Sequence, residues 1–258
     1  MLAVRKTEPL SCSIEVQNVQ EPKVIPGHLL LNVAAAGICG SDIHAYHWTP
    51  DYQKRYNGCL PVTLGHEFSG VLVEKGPDIA DFQEGDHIVA KPGVHCKSCY
   101  CCIDGHDALC LNRKILGVHF DGPMAEKVLL PAANCFVLPP EYPLVMAALS
   151  EPIAVAFNAL MKAGSILGKD VLILGPGPIG YFLGLFSELA GAKSLIVAGR
   201  AVDEDRLALF QKNCSSSVCV QNPGDLNNAI ENISGVKGAD VVFEVTGSVG
   251  GLREAYTN

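Results

Sequence analysis

Five cysteines fall between Gly93 and Cys110, in GVHCKSCYCCIDGHDALC, and four of them, Cys96, Cys99, Cys102 and Cys110, give the spacing C-x-x-C-x-x-C-x7-C. Thiolates spaced this way wrap a tetrahedral ion at about 2.3 Å. Zinc suits such a closed site, and an iron–sulfur cluster is the alternative. A closed four-thiolate site leaves no position for water or substrate, so it holds a loop and does no chemistry. Cys101 falls off the pattern and reads as a bystander. A reactive metal needs a different set. Cys39 in GICGSDIH (Gly37–His44) offers a thiolate, and His66 in GHEFSG (Gly65–Gly70) an imidazole; both segments read as ends of strand-like runs. Catalytic zinc takes three protein ligands and keeps a further position open. The third ligand is Glu151, in SEPIAVAFNAL, or Glu67 beside His66, and Asp42 is placed to orient the His66 imidazole. Phe68, Ser69 and Gly70 follow the His-Glu pair, so this is not the helical H-E-x-x-H of metalloproteases.

A second chemistry is written in VLILGPGPIG. Gly175, Gly177 and Gly180 form G-x-G-x-x-G directly after a strand-like run and before a helical one. The first glycine permits the turn, the second lets a pyrophosphate approach the backbone, and the third lets helix and strand pack closely. Pro178 and Ile179 complete the loop, and the helix N-terminus faces the phosphates. An acidic residue about 20 positions on would hold the ribose diol of NAD. Gly199 stands there instead, followed by Arg200. A small residue with an adjacent arginine favours the 2′-phosphate of NADP. The opposing reading is that Asp203 or Glu204 turns back to hold the diol.

The elements that must position these groups change character along the chain. Up to about Met146, short β-branched runs alternate with Gly and Pro: HLLLNVAAAGI, FSGVLVEKG, GDHIVA and AEKVLLPAANCFVLP read as strands. Leu149–Ala163 reads as a helix. From Asp170 onward, strands VLILG, SLIVA, SVCV and ADVVFEV alternate with helices, which signals a doubly wound parallel sheet. Such a sheet binds dinucleotides where its strand order reverses, between VLILG and DVVFEV, which brings Val245 and Thr246 into the cofactor set. The 258 residues, 48% hydrophobic, suffice for two domains, expected at 1–148, with a cysteine lobe at about 93–112, and at 149–258. The net charge of -8 and the absence of a basic tract speak against a nucleic-acid partner. There is no signal-peptide pattern, and apolar runs are broken by Gly, Pro and Glu188, so no membrane span and a cytoplasmic location are expected. A reducing compartment favours metal over disulfides for the cysteines. The other thiols, Cys12, Cys59, Cys135, Cys214 and Cys219, are expected in buried packing.

Together, GICGSDIH, GHEFSG, the four-cysteine lobe, SEPIAVA and LGPGPIG, in this order along essentially the whole chain, resemble the zinc-dependent medium-chain alcohol dehydrogenase superfamily. The resemblance implies an α/β protein: an N-terminal β-rich GroES-like catalytic domain followed by a Rossmann domain. It implies two zinc ions, one catalytic on Cys39, His66 and Glu151 with Glu67 a nearby or exchanging ligand, and one structural in the lobe. Ser41 and His44 would form a proton relay from the substrate hydroxyl to solvent. The implied reaction is hydride transfer between a secondary alcohol or polyol and NAD(P), with NADP slightly favoured. Glu151 looks like the polyol and threonine dehydrogenase branches and HAYHW (His44–Trp48) like the threonine dehydrogenase branch, whereas EPIAVAFNAL is closer to the sorbitol-like branch. Zinc-independent quinone reductases of the same superfamily lack the paired cysteine and GHE ligands.

Members of the family continue through further sheet strands and are homo-oligomers joined by an edge strand in that part. The sequence reading therefore expects an incomplete Rossmann sheet, a truncated product or fragment, and loss of the dimer edge. Its second functional reading is a catalytically silent zinc-binding homologue acting as a binding or regulatory partner.

Overall fold

The computed structural model describes residues 1–55, 59–214, 217–221, 223–235 and 238–257. The chain divides into two compact units, Met1–Glu151 and Pro152–Asn258.

The first unit is β-rich. Its strands are β1 (Leu2–Lys6), β2 (Ile14–Asn18), β3 (His28–Ala36), β4 (Val62–Thr63), β5 (Phe68–Lys75), β6 (His87–Ala90), β7 (Gly93–Val94), β8 (Lys114–Ile115), β9 (Lys127–Pro131) and β10 (Cys135–Leu138). Short helices α1 (Gly40–His47), α2 (Pro50–Arg55) and α3 (Tyr100–Ile103) lie between them, and α4 (Leu144–Ala147) follows β10. The antiparallel sheet β10-β6-β5-β3-β9 carries the core, and β2-β1-β4 forms a smaller one. Period-two alternation sends Leu29 and Leu31 of β3, Leu72 of β5, Ile88 of β6 and Val128 and Leu130 of β9 into one buried cluster. Register shifts at Leu30/Leu31 and Val33/Ala35 bend β3 just before the Cys39 segment, as bulges do beside functional sites.

Four details depart from the sequence reading. His66 and Glu67 precede β5 rather than ending a strand. Ser41 to His44 lie on α1, a helix whose N-cap is Cys39; its Gly-Ser-Asp start hid it from periodicity. AEKVLLPAANCFVLP is two strands parted by a 3-10 turn at Ala132–Asn134, because Pro131 cannot continue the ladder. Of the leftover thiols, Cys12 is exposed and left-handed at φ 62, since the β1–β2 connection turns tightly there.

In the second unit, β11 (Asp170–Leu174), α6 (Pro178–Leu189), β12 (Ser194–Ala198), α7 (Glu204–Asn213), β13 (Ser217–Val220), α8 (Pro223–Ser234), β14 (Val241–Glu244) and α9 (Val249–Thr257) alternate as the sequence predicts. The helix α5 (Ser150–Ala163) leads into it. All four strands are parallel, in the order β13-β12-β11-β14. Every residue of β11 is buried, which explains its unbroken apolar run. The order reverses between β11 and β14, so the crevice of a doubly wound sheet opens there. Among the described residues no helix is long and apolar enough to cross a membrane.

Candidate functional site

In the first unit the backbone frames a mixed ligand cluster. The Gly37 N–H donates to the Glu67 carbonyl at 2.7 Å, which ties the segment after β3 to the segment before β5. Gly65 adopts φ +93, and its carbonyl lies 2.2 Å from where a Cβ on Gly117 would stand and 2.3 Å from one on Gly122. Only three glycines let these backbones meet. The buried Asp42 carboxylate accepts the Cys39 N–H at 2.9 Å and the Gly65 N–H as well. It thus clamps both ligand-bearing segments, and it acts on His66 by charge rather than as its ring's hydrogen-bond partner.

Within this frame the ligand atoms of Cys39, His66 and Glu67 lie within 4.8 Å of one another. Glu151, in the first turn of α5, stands outside that group but close enough for its charge to act on His66 and Glu67. Burial opposes protonation of His66, yet the hydrogen bond and charge of Cys39, with Asp42 and Glu151, raise its pKa to about 9. Burial raises the carboxyls of Asp42 and Glu151, the latter further through Glu67. Three acids and a thiol around one imidazole are an electrostatic surplus that a dication relieves, and thiolate, imidazole and carboxylate are the donors zinc takes. Ser41 Oγ lies 3.4 Å from His66 Nε2. His44 is exposed and stacks on Tyr52, with ring centroids 5.5 Å apart and planes 10° from parallel. The sequence reading missed Tyr52 and Gly37; a Cβ on Gly37 would fall 2.4 Å from Glu67 Oε2.

The four lobe thiols converge as the spacing predicts, all within 4.8 Å of one another. Pairing of β7 with β8 closes the lobe. Sulfurs of Cys99 and Cys102, and of Cys110 and Cys96, are 3.5 Å apart. The Cys96 N–H points at Cys110 Sγ (3.3 Å) and the Cys99 N–H at Cys96 Sγ (3.4 Å), as expected for thiolate acceptors. Hydrogen bonds from the Ser98 backbone and hydroxyl and from Cys99 lower Cys96 to about 5, whereas burial and the neighbouring thiols push Cys102 up to about 12. One thiol ionises readily and the last does not, so a cation is needed for all four to be thiolates together. Cys101 is buried and outside the cluster.

In the second unit a cavity of about 520 Å³ opens at the β11–β14 reversal. Gly175, at φ +109, turns the chain beside Thr246, and a Cβ on Gly180 would fall 2.0 Å from the Gly175 carbonyl. A Cβ on Gly177 would meet no described atom within 4 Å. Packing does not require that glycine, whereas a pyrophosphate lying against the backbone does. Gly175, Gly177, Gly199, Arg200, Val245 and Thr246 line the cavity. Pro178 and Ile179 are not among its described lining: Pro178 starts α6, and Ile179 packs on the core. Gly199 has a packing reason of its own, since a Cβ there would stand 2.9 Å from the Pro176 ring. Asp203 and Arg206 also line the cavity. The sequence offers Asp203 as one of two acids turning back to the diol, whereas the place of Arg206 is a tertiary matter that the strand–helix pattern does not signal.

Residues 25–140 match the model of the alcohol dehydrogenase GroES-like domain. The chain is 34% identical over 254 residues to L-threonine 3-dehydrogenase of Pyrococcus furiosus, covering 98% of this chain and 71% of that one. A Sinorhizobium meliloti structure described as a zinc-binding dehydrogenase bound to NADP superposes with a TM-score of 0.84 at 33% identity, over 97% of this chain and 71% of that one. For 2R,3R-butanediol dehydrogenase of Bacillus subtilis the TM-score is 0.85 at 30% identity, over 99% and 73%.

Proposed function

This chain belongs to the zinc-dependent medium-chain alcohol dehydrogenase superfamily and is an oxidoreductase of alcohols using zinc and NAD(P), and from that premise we propose which residues do the work. Cys39, His66 and a carboxylate, Glu67 or Glu151, hold a catalytic zinc; Cys96, Cys99, Cys102 and Cys110 hold a structural one. The observation that carries this is the convergence of Cys39, His66 and Glu67 within 4.8 Å, with Glu151 acting on the same imidazole. Zinc supplies a Lewis acid there, and the nicotinamide supplies the hydride carrier.

The chain's own residues bind, orient and move the proton. Ser41, beside His66, takes the proton of the substrate hydroxyl, and the exposed His44 passes it to solvent. Gly175, Gly177 and the N-terminus of α6 seat the pyrophosphate. Gly199 and Arg200 in the cavity wall favour the 2′-phosphate of NADP, as does the likeness to an NADP-bound relative. The substrate is a secondary alcohol or polyol. L-threonine and 2,3-butanediol, the substrates that relatives' names print, are both secondary alcohols with a polar group on the next carbon.

Zinc per chain, measured on the native protein and on Cys39→Ser and Cys96→Ser, tests the ligand sets. Two ions falling to one in each variant is expected, with NADP-dependent oxidation of a secondary alcohol lost in Cys39→Ser. Zinc content indifferent to Cys39→Ser would overturn the catalytic assignment and leave the silent homologue as the reading.

A further inference from the structure

Lys6, the last residue of β1, is 0% exposed, and among the described residues no carboxylate pairs with it. A lysine is almost never fully buried without a partner charge, so what holds this one points to its use. Its Nζ donates to the Leu10 carbonyl, in the connection from β1 to β2, and stands 5.0 Å from the centroid of the Trp48 ring. That connection is itself tied. The Thr7 N–H donates to the Ser13 carbonyl at 3.1 Å, and Ser13 Oγ lies 2.6 and 2.9 Å from the carbonyl oxygens of Glu8 and Leu10. The Cys12 N–H donates to the Tyr46 carbonyl at 2.8 Å. Tyr46 is in the last turn of α1, and Trp48 is the C-cap of that helix, left-handed at φ 53. Last-turn carbonyls find no partner within a helix, and a cation at that end complements the macrodipole. The β1–β2 connection therefore holds α1 at its C-terminal end, as Asp42 holds it at the other. His44 lies one turn before Trp48, and its carbonyl accepts the Thr49 N–H at 3.3 Å. Its ring stacks on Tyr52, which packs with Ala45 and Val62 in a core cluster against which Trp48 lies. Val62 is the register partner of Lys6.

From this arrangement we propose that Lys6 is a positioning residue for the proton path: its ammonium, bridging the Leu10 carbonyl and the face of Trp48, fixes the C-terminal end of α1 and so the place of the His44 ring. The inference rests on the reading of Ser41 and His44 as that path. Lys6 touches no reacting atom and acts through Trp48. His44 is exposed, so its ring keeps one place only while its backbone and its stacking partner keep theirs. An apolar side chain at position 6 would fill the same space without burying an ammonium. Burial holds the Lys6 pKa below its ordinary value, against the charge of Cys12, so the cation is kept at a cost. The carbonyl and the indole face are what it is kept for, and a cation–π contact strengthens when both partners leave water.

Trp48 is the one tryptophan of the chain, so its emission reads this contact alone. The test compares the native chain with Lys6→Met, Trp48→Leu, their double variant and His44→Ala, by acrylamide quenching of Trp48 and by steady-state oxidation of 2,3-butanediol with NADP. In Lys6→Met, quenching is expected to rise and kcat to fall roughly two- to tenfold, the span of a cation–π contact, with KM for the alcohol within about twofold. Raising the HEPES concentration at constant pH and ionic strength is expected to restore kcat in Lys6→Met and in His44→Ala, because the buffer base accepts the proton that the displaced or missing ring does not. The native chain is expected to ignore the buffer. Trp48→Leu leaves Lys6 in place and should match Lys6→Met, and the double variant should lose no more than either. Quenching unchanged by Lys6→Met overturns the inference without any turnover being measured. A fall in kcat that buffer does not restore in Lys6→Met, while it does in His44→Ala, also overturns it and leaves the proton path standing. Native kcat in His44→Ala, with no buffer dependence, overturns the proton path and this inference with it.

Discussion

The two candidate metal-ligand clusters of the first unit differ in how the chain assembles them. The lobe draws four like ligands from 15 consecutive residues, Cys96 to Cys110, and closes them with one β7–β8 pair. The mixed cluster draws unlike ligands from Cys39, His66 and Glu67, with Glu151 beyond them, and needs β3, β5, α1 and α5 to bring them together. A local set of identical soft donors can only be saturated, so it stabilises. A dispersed set with more acids than one ion needs keeps coordination in reserve, and reserve is what substrate exchange requires. The contrast gives graded expectations.

The sharpest break comes from ligand removal. Cys39→Ser is expected to lower kcat/KM by roughly a thousandfold or more, since a Lewis acid contributes several kcal/mol, with little change in melting temperature. Cys102→Ser should do the reverse at first: one zinc fewer, a melting temperature lowered by several degrees, and new proteolysis within 93–115. A variant of either site that shows the other's signature would erase the distinction. One step out, Asp42→Asn should cost about 10- to 100-fold in zinc affinity at the mixed cluster and nothing at the lobe, which competition with a chelator reads separately. Gly37→Ala drives a methyl into Glu67 Oε2. If Glu67 is a working ligand, activity falls about tenfold; full activity would hand the third position to Glu151.

The smallest effect belongs to the second unit and serves as a control. Ser194 Oγ donates to the buried Asp170 carboxylate at 2.6 Å, and with Lys193 it lowers that group's pKa. A depressed carboxyl stabilises the fold above its unfolded value of about 3.9, and that contribution is lost as pH falls through the folded value. Ser194→Ala should therefore cost about 1.5 kcal/mol at neutral pH, and the gap from native should close in acid denaturation curves. Zinc content should not move.

What was legible in the sequence follows the same division. The lobe and the strand–glycine loop–helix of β11 and α6 were readable because their parts are adjacent and their spacing is the geometry. The sequence offers Cys39, His66 and Glu151 only as a set implied by the family likeness, because 112 positions separate the first from the last; the structure gathers Cys39 and His66 with Glu67 and leaves Glu151 outside that group. The family likeness implies Glu151, with Glu67 nearby or exchanging, whereas the carboxylate that lies over Gly37 beside Cys39 and His66 is that of Glu67, and no periodicity encodes that. Gly199 was read as room for a phosphate, whereas Pro176 gives it a steric reason as well. The sequence offers Asp203 only as a group that holds the diol by itself. Its pairing with Arg200 and Arg206 depends on the 3-10 turn Ala201–Asp203, too short for a sequence pattern to show.

The clamp made by Asp42 carries one further implication. It grips the N–H groups of Cys39 and Gly65, main-chain atoms that every amino acid except proline supplies. The frame thus rests on Asp42 and on Gly65, Gly117 and Gly122, and not on the side chains at 39, 66 and 67. A protein built this way can exchange the donors at positions 39, 66 and 67, and with them the hardness of the metal it accepts, without redrawing the backbone that aims them.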